Sequence, residues 1–271
     1  MHGRIRNRRA PRAGALLVGC LALVATGAWA AQRAPERARC GLDRVDARVR
    51  VTYVYDGDTV RLADGNRLRL IGIDTPELRT DHGGPQPLAV AARDRLRTLL
   101  ERHRYRLRLR FDRQRRDAYG RLLAHAYLDS GRSVEIRLLD DGLGTALAIP
   151  PDLWHVECYR AAEARARRAR RGVWALPAYR PIPAARLPEG ARGFHLVTGR
   201  VRAVRRTRRS VWLELEGRVA VRIPRADLIY FVGHDLEGLA GHTVLARGWV
   251  HGYAGGLFLR VRYPTALEVL P

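Results

Sequence analysis

The chain has 271 residues and a formal net charge of +23, because 50 arginines and no lysines stand against 27 acidic residues. A charge of this size favours a polyanionic partner, such as nucleic acid, an anionic membrane or an acidic polysaccharide. After residue 31 no stretch is long and apolar enough to span a bilayer, which excludes a protein held in the membrane by several helices.

The first 30 residues resemble an export signal. Five arginines lie within the first twelve residues, and the apolar run 13–30 that follows ends in Ala-Trp-Ala. Cleavage after Ala30 would leave 241 residues with 45 arginines, 27 acids and a net charge of +18. A membrane anchor over 13–30 and a lipid attached at Cys20 are the alternatives. We expect an exported protein, either periplasmic or secreted.

Short alternating runs of apolar and polar residues predict a small barrel over residues 46–175, after an N-terminal arm at 31–45. The predicted strands cover 48–54, 59–62, 67–73, 105–111 and 122–128. Helical spacing predicts helices over 87–102, 134–141 and 152–171, the last with Asp152 as its N-cap and Gly172 at its end. Five strands with these helices match an OB-type barrel, so the expected fold class is mainly β with helices.

The C-terminal part of the chain predicts a second, OB-like β-barrel over 193–271, after a proline-rich linker at 176–192. Five arginines crowd one hairpin, and six aromatic residues follow: Trp212, Tyr230, Phe231, Trp249, Tyr253 and Phe258. Arginines beside aromatic rings suit single-stranded nucleic acid. The alternative is that the rings form the barrel core and the arginines a solvated hairpin tip.

Four carboxylates mark two turns of the first barrel. Asp56 and Asp58 lie between the first two strands, and Asp74 and Glu77 follow the third. If these strands pair as a meander, Asp58 and Asp74 converge at one end of the barrel, as hard oxygen ligands suited to Ca²⁺ or Mg²⁺. The alternative is that they are ordinary turn residues. The spacing excludes an EF-hand.

Two arginines could complete such a site. Arg121 follows a glycine in a loop between strands, where a guanidinium could reach a shared cleft. Arg69 lies five residues before Asp74, so simple alternation places it on the opposite face unless Gly72 or a bulge resets the pattern. Two arginines, a cation and a free carboxylate are what phosphodiester hydrolysis needs.

Three motifs in order, YDGDTVRL, RLIGIDTPE and DAYGRLLAHAYL, with a downstream helix running into GVW, resemble the staphylococcal nuclease (thermonuclease) family over residues 46–175. The resemblance implies an OB-type barrel and a Ca²⁺-dependent endonuclease acting on DNA and RNA, with 3′-phosphate products. It also assigns roles by position. Asp58, Asp74 and the backbone carbonyl of Thr75 would bind Ca²⁺, Arg69 and Arg121 would grip the scissile phosphate, Glu77 would activate water, and Tyr119 would contact a substrate phosphate.

The sequence departs from the family where tyrosines pack on the nucleoside, since it has Ala148 and Pro150 there. Trp154 or His155 could substitute. A second hypothesis is therefore a noncatalytic nucleic-acid-binding protein with a degenerate nuclease-like domain, and a third is a basic envelope protein that binds anionic polymers or lipid. No other catalytic constellation competes, because the histidines are scattered without metal-ligand spacing.

Two cysteines, Cys40 and Cys158, lie on either side of the first barrel. In an oxidising compartment such a pair predicts a disulfide between the N-terminal arm and the last helix. Two free thiols are the alternative. We expect a monomer.

Overall fold

The computed structural model describes residues 40–79 and 83–271. The predicted export signal, its alternatives and most of the N-terminal arm lie outside the described residues. Within those two ranges, no helix is both long enough and apolar enough to cross a membrane.

Five strands close into the first barrel, which confirms the predicted fold class. They are β1 (Ala47–Val54), β2 (Thr59–Leu62), β3 (Arg67–Leu70), β5 (Arg106–Arg110) and β6 (Leu122–Tyr127), in the order β1-β2-β3-β6-β5. The pairings are antiparallel except that of β3 with β6. Because side chains alternate along a strand, Leu107 and Leu109 of β5 fill the interior while Arg106 faces solvent.

Three helices cover this barrel: α1 (Ala89–Glu101), α2 (Val134–Asp140) and α3 (Val156–Arg168). The prediction that α3 begins with Asp152 as its N-cap is wrong. Its cap position is His155, which has a left-handed backbone with φ of 60°. The carboxylate of Asp152 instead accepts a hydrogen bond of 2.8 Å from the backbone of Gln114, so a tertiary contact uses the group that would have capped the helix.

The predicted third strand, 67–73, is interrupted. β3 ends at Leu70, and the chain turns through Gly72, with φ of +88°, into the short strand β4 (Ile73–Asp74). A Cβ at Gly72 would lie 2.2 Å from the ring of Tyr159, so both the backbone angle and the packing require glycine. β4 then pairs with β7 (Thr145–Ala146) outside the barrel. This turn resets the alternation between Arg69 and Asp74.

A second closed barrel follows, as predicted. Its strands are β9 (Gly193–Arg206), β10 (Ser210–Leu215), β11 (Val219–Pro224), β12 (Thr243–Tyr253) and β13 (Gly256–Arg260). The sheet order is β12-β13-β11-β10-β9, closed by pairing of β12 with β9, with β8 (Ile182–Pro183) and β14 (Leu267–Val269) at its edges. Val197, Leu213, Val221 and Leu259 form part of its buried core.

The proline-rich segment 176–192, expected to be a linker, is packed against the second barrel. It contains β8 and two 3₁₀ turns, Pro177–Tyr179 and Ala184–Arg186. Ala184 and Leu187 are buried in the second core. The segment therefore fixes the path of the chain between the barrels.

A disulfide joins Cys40 to Cys158, with Cα atoms 5.7 Å apart, which confirms that prediction. It ties the residues ahead of β1 to α3 across a separation of 118 residues.

The second barrel contacts the first through a buried ion pair. Arg247 of β12 pairs with Glu163 of α3, and both side chains are almost completely buried. Glu163 also accepts a hydrogen bond of 2.7 Å from the backbone of Ala146 in β7. Since β7 pairs with β4, this contact reaches the strand that carries Asp74.

Candidate active site

The turn between β1 and β2 is shaped by its own acids. The Oδ1 atom of Asp56 accepts hydrogen bonds from the backbone of Asp58 (3.0 Å) and Thr59 (2.7 Å). A Cβ at Gly57 would lie 2.8 Å from the side chains of Ala92 and Thr75, so the turn packs tightly between α1 and the end of β4. Glycine is thus needed here because a side chain would block the packing of the turn against Ala92 and Thr75. This packing places Asp58 next to its hydrogen-bond partners.

Asp58 is buried and holds residues that are distant in sequence. Its Oδ2 atom accepts hydrogen bonds from the backbone nitrogen of Thr75 (2.8 Å) and from the Thr75 hydroxyl (2.9 Å). Its Oδ1 atom accepts one from the Thr59 hydroxyl at 3.0 Å. The turn after β1 and the chain after β4 therefore meet at this carboxylate.

Arg69 lies between the two carboxylates assigned to a cation. Its Nε is 3.2 Å from Asp58 Oδ1, and its Nη2 is 3.0 Å from Asp74 Oδ1. Its Nη1 donates to the carbonyl oxygens of Leu70 (2.6 Å) and Ile73 (2.8 Å), which fixes the guanidinium against the turn at Gly72. The interruption of the third strand is what places Arg69 and Asp74 on the same side.

Glu77 and Arg121 line one cleft of about 630 Å³, together with Asp56. The loop that carries Glu77 is held by Gln86, whose side chain accepts from the Glu77 backbone at 2.8 Å and whose backbone donates to the Glu77 carbonyl at 2.9 Å. Asp117 pairs with the Nε of Arg121 at 2.7 Å and orients that guanidinium from behind. Tyr119 lies nearby and is 86% exposed, so its ring is accessible to a substrate.

Four carboxylates, those of Asp56, Asp58, Asp74 and Glu77, surround Arg69, and their combined negative charge exceeds its single positive charge. Burial, then the charge of Asp58, raises the pKa of Asp56 to about 6. Burial, then the charges of Asp58, Asp56 and Asp74, raises the pKa of Glu77 to about 7. Burial also raises the pKa of Asp74, although Arg69 opposes it. Such a concentration of carboxylate oxygens suits a hard cation.

Few side chains are placed to bind a cation at this site. Within residues 40–79 and 83–271, no three His, Cys, Asp or Glu side chains form a ready metal cage. Of the donors assigned from the sequence, Asp58 and Asp74 both contact the Arg69 guanidinium and so lie close to each other.

Several residues of the site were not assigned from the sequence. Gln86 gave no signal because it lies in a loop without periodic pattern. Trp249 was noted as an aromatic residue of the second domain, yet its Nε1 lies 3.4 Å from Asp74 Oδ2, a long hydrogen bond between the barrels. Trp154, considered as a stacking substitute, instead packs on Arg110 and His125, and neither it nor His155 lines the cleft with Glu77.

Residues 67–176 match the family model described as staphylococcal nuclease homologue. Over 127 residues the chain is 34% identical to the thermonuclease of Staphylococcus intermedius, covering 46% of this chain and 74% of that protein. The chain belongs to the staphylococcal nuclease family.

Two further relatives are similar to the chain over 136 residues. The endonuclease YncB of Bacillus subtilis is 33% identical, with 48% of this chain and 63% of that protein covered. The SPbeta prophage-derived endonuclease YokF of the same organism is 35% identical, with 48% and 45% covered. The chain thus spans about half to two thirds of these two relatives. The family model begins after Asp58 and ends before the second barrel.

Proposed function

We propose that the protein is an exported, Ca²⁺-dependent nuclease that hydrolyses phosphodiester bonds of DNA, RNA or both and leaves 3′-phosphate ends. The observation that carries the proposal is the arrangement of Arg69 between the buried carboxylate of Asp58 and the partly buried carboxylate of Asp74, beside a cleft that Glu77 and Arg121 share. The relatives named thermonuclease and endonuclease support it. The disulfide is in keeping with export, because such bonds persist in oxidising compartments.

In this proposal Asp58, Asp74 and the Thr75 carbonyl hold Ca²⁺. When bound, the cation would offset negative charge that develops on the scissile phosphate. Arg121 would donate to the phosphate oxygens through its Nη atoms, since Asp117 occupies its Nε.

Glu77 would take a proton from a water molecule as the water oxygen forms its bond to phosphorus. A carboxylate with a pKa of about 7 is well matched to this role near neutral pH. The bond from phosphorus to the 5′ oxygen then breaks, the 5′ oxygen takes a proton from a solvent water molecule, and the phosphate stays on the 3′ side.

Cleavage is expected to require Ca²⁺ and the buried carboxylates. We expect the protein to cut single-stranded and duplex DNA with Ca²⁺ and to stop when a chelator is added, as followed by gel electrophoresis. Asp58→Asn should abolish cleavage, whereas Asp64→Asn, at an exposed carboxylate of the β2–β3 turn, should cut like the unaltered protein. A folded protein that binds DNA in a salt-sensitive way but leaves DNA and RNA intact with Ca²⁺ would support the noncatalytic alternative.

Ca²⁺ binding is expected to weaken as the pH falls. Glu77, with its pKa of about 7, is mostly ionised above neutrality and mostly protonated below it, and the protonated cluster attracts a cation less. The affinity should fall by about tenfold from roughly pH 8 to roughly pH 6. Calorimetry in two buffers of different ionisation enthalpy would measure the affinity and the protons released. In Glu77→Gln most of the pH dependence should disappear; an affinity that is flat with pH in the unaltered protein would contradict the argument.

A further inference from the structure

The outer surface of the second barrel carries a row of arginines and aromatic rings across neighbouring strands. We call it the arginine-aromatic face, made of Arg205, Trp212, Arg222, Phe258, Arg260 and Trp249. The strand register sets its order, since Trp212 of β10 lies opposite Arg205 of β9 and Arg222 of β11, and Arg222 lies opposite Arg260 of β13. The residues on either side of Trp212, Arg222 and Phe258 are buried, so these side chains point outward.

Three rings on this side of the barrel, Trp212, Phe258 and Tyr253, lie in contact with one another. The centroid of Trp212 lies 5.5 Å from that of Phe258 and 5.4 Å from that of Tyr253. The Arg222 guanidinium carbon lies 5.7 Å from both the Trp212 and the Phe258 rings. Trp249 is 42% exposed and Tyr253 is 39% exposed, although neither is needed to fill the barrel. Grouped, exposed aromatic rings on a barrel surface mark a place of contact with a partner.

Two of the three arginines of this face, Arg222 and Arg260, form no ion pair with a carboxylate within the part of the chain described. Arg222 donates to the Ser210 hydroxyl, which carries no charge. No carboxylate among residues 40–79 and 83–271 forms an ion pair with Arg260, and burial, then the nearby positive charge of Arg262, lowers the pKa of Arg260. Arg205 pairs with Glu214, but both side chains are about half exposed, so the pair is weak and an anionic partner can replace Glu214. The face therefore favours an anionic partner.

The face reaches the candidate active site at one residue, Asp74, since the cavity lined by Trp249 and the cleft lined by Glu77 share no lining residue. Trp249 and Arg260 line a cavity of about 460 Å³ between the barrels, whose opposite wall includes Ala148 and Ile149 of the nuclease barrel. The indole of Trp249 reaches Asp74 there. This is the region where the nuclease barrel lacks tyrosines for stacking, at Ala148 and Pro150.

We propose that the arginine-aromatic face binds single-stranded nucleic acid and leads it to the candidate active site, with Trp249 as the stacking ring next to Asp74. Arginines that lie beside rings suit a strand whose phosphates meet guanidinium groups while its bases stack on the rings, and a ring can stack only on a base that is not already stacked in a duplex. The face thereby makes single strands the preferred substrate class. This inference rests on the proposed nuclease function for its second half, the delivery of the strand to the site.

The test separates binding from cleavage. The full chain carrying Glu77→Gln, which should not cut, is titrated with labelled oligodeoxythymidylates of about 4 to about 16 nucleotides and with a duplex of equal length. Affinity should rise with length until the face is filled and should be higher for the single strand. Trp249→Ala and Arg260→Ala, each in this background, should weaken single-strand binding about tenfold and duplex binding far less, because stacking is worth roughly 1–3 kcal/mol per base.

The matched control is Arg102→Ala, which removes the same charge from an exposed position at the end of α1. It should change the affinity less than threefold, and circular dichroism should show that all variants are folded. If Trp249→Ala and Arg260→Ala bind like the control, or lose single strands and duplex equally, the face is not the binding surface. If the protein binds single strands through the face but does not cut them with Glu77 intact, the proposed nuclease function is wrong and the proposed binding surface stands. If the protein cuts nucleic acid but the face variants bind it normally, the proposed binding surface is wrong and the nuclease function stands.

Discussion

Replacing Arg121 with alanine is expected to lower kcat about a thousandfold while the substrate KM changes by much less. A single well-placed donor to transition-state charge is worth about 10²–10³ in rate, and an arginine acting on a transferring phosphoryl group is worth about 10³–10⁵. Arg121 suits such a role because its cleft is shared with Glu77 and its Nε is already held by Asp117. Steady-state cleavage of a labelled oligonucleotide with saturating Ca²⁺ would measure the effect.

Two variants sharpen that experiment. Arg121→Lys keeps the charge but loses the two-pronged donor geometry, so it should recover only part of the lost rate. Arg113→Ala, at an exposed arginine of the segment that leads into the same loop, should cut normally. A loss below tenfold for Arg121→Ala would remove Arg121 from the mechanism. Arg69 is a poorer choice for this test, because its removal would leave the buried Asp58 and the partly buried Asp74 without their cation and would destabilise the site.

Arg247→Met is expected to destabilise the protein by about 3–5 kcal/mol, because it leaves the buried carboxylate of Glu163 without its cation. The double variant Arg247→Met with Glu163→Gln should recover much of this loss, since the amide oxygen can still accept from the Ala146 backbone. Urea unfolding followed by tryptophan fluorescence and circular dichroism would give both values.

An exposed ion pair supplies the control for this prediction. Arg205 and Glu214 lie 2.9 Å apart with side chains that are 54% and 43% exposed. Arg205→Met should therefore cost about 1 kcal/mol or less. If Arg247→Met costs no more than Arg205→Met, the contact between the barrels does not contribute to stability.

Local patterns predict the strands of both barrels because each strand buries one face. The same logic fails at Gly72, where a turn that packs on Tyr159 cannot be read from alternation, and this turn decides whether Arg69 can reach Asp74. The start of α3 was misplaced for a related reason. A carboxylate just ahead of a periodic segment resembles a cap, but Asp152 is engaged with Gln114, 38 residues away.

Some residues of the candidate site can be predicted from the sequence, and others cannot. The carboxylates and arginines follow from motifs whose residue types are tied to the chemistry, and the structure brings Asp58, Asp74 and Arg69 together. Trp249 lies 175 residues from Asp74 in sequence, and no local pattern could have paired them. Such a contact depends on how the two barrels pack, which alternation and spacing do not describe.

The ion pair between Arg247 and Glu163 limits how freely the two barrels can be exchanged between proteins. Glu163 lies in the first barrel, yet its charge is satisfied by the second barrel. A nuclease barrel transplanted alone would carry an acid selected for a partner that is no longer there, and a foreign second barrel without an arginine at that position would bury the same acid unpaired. The two halves are therefore expected to be inherited as a unit, with changes at one position tolerated only alongside changes at the other.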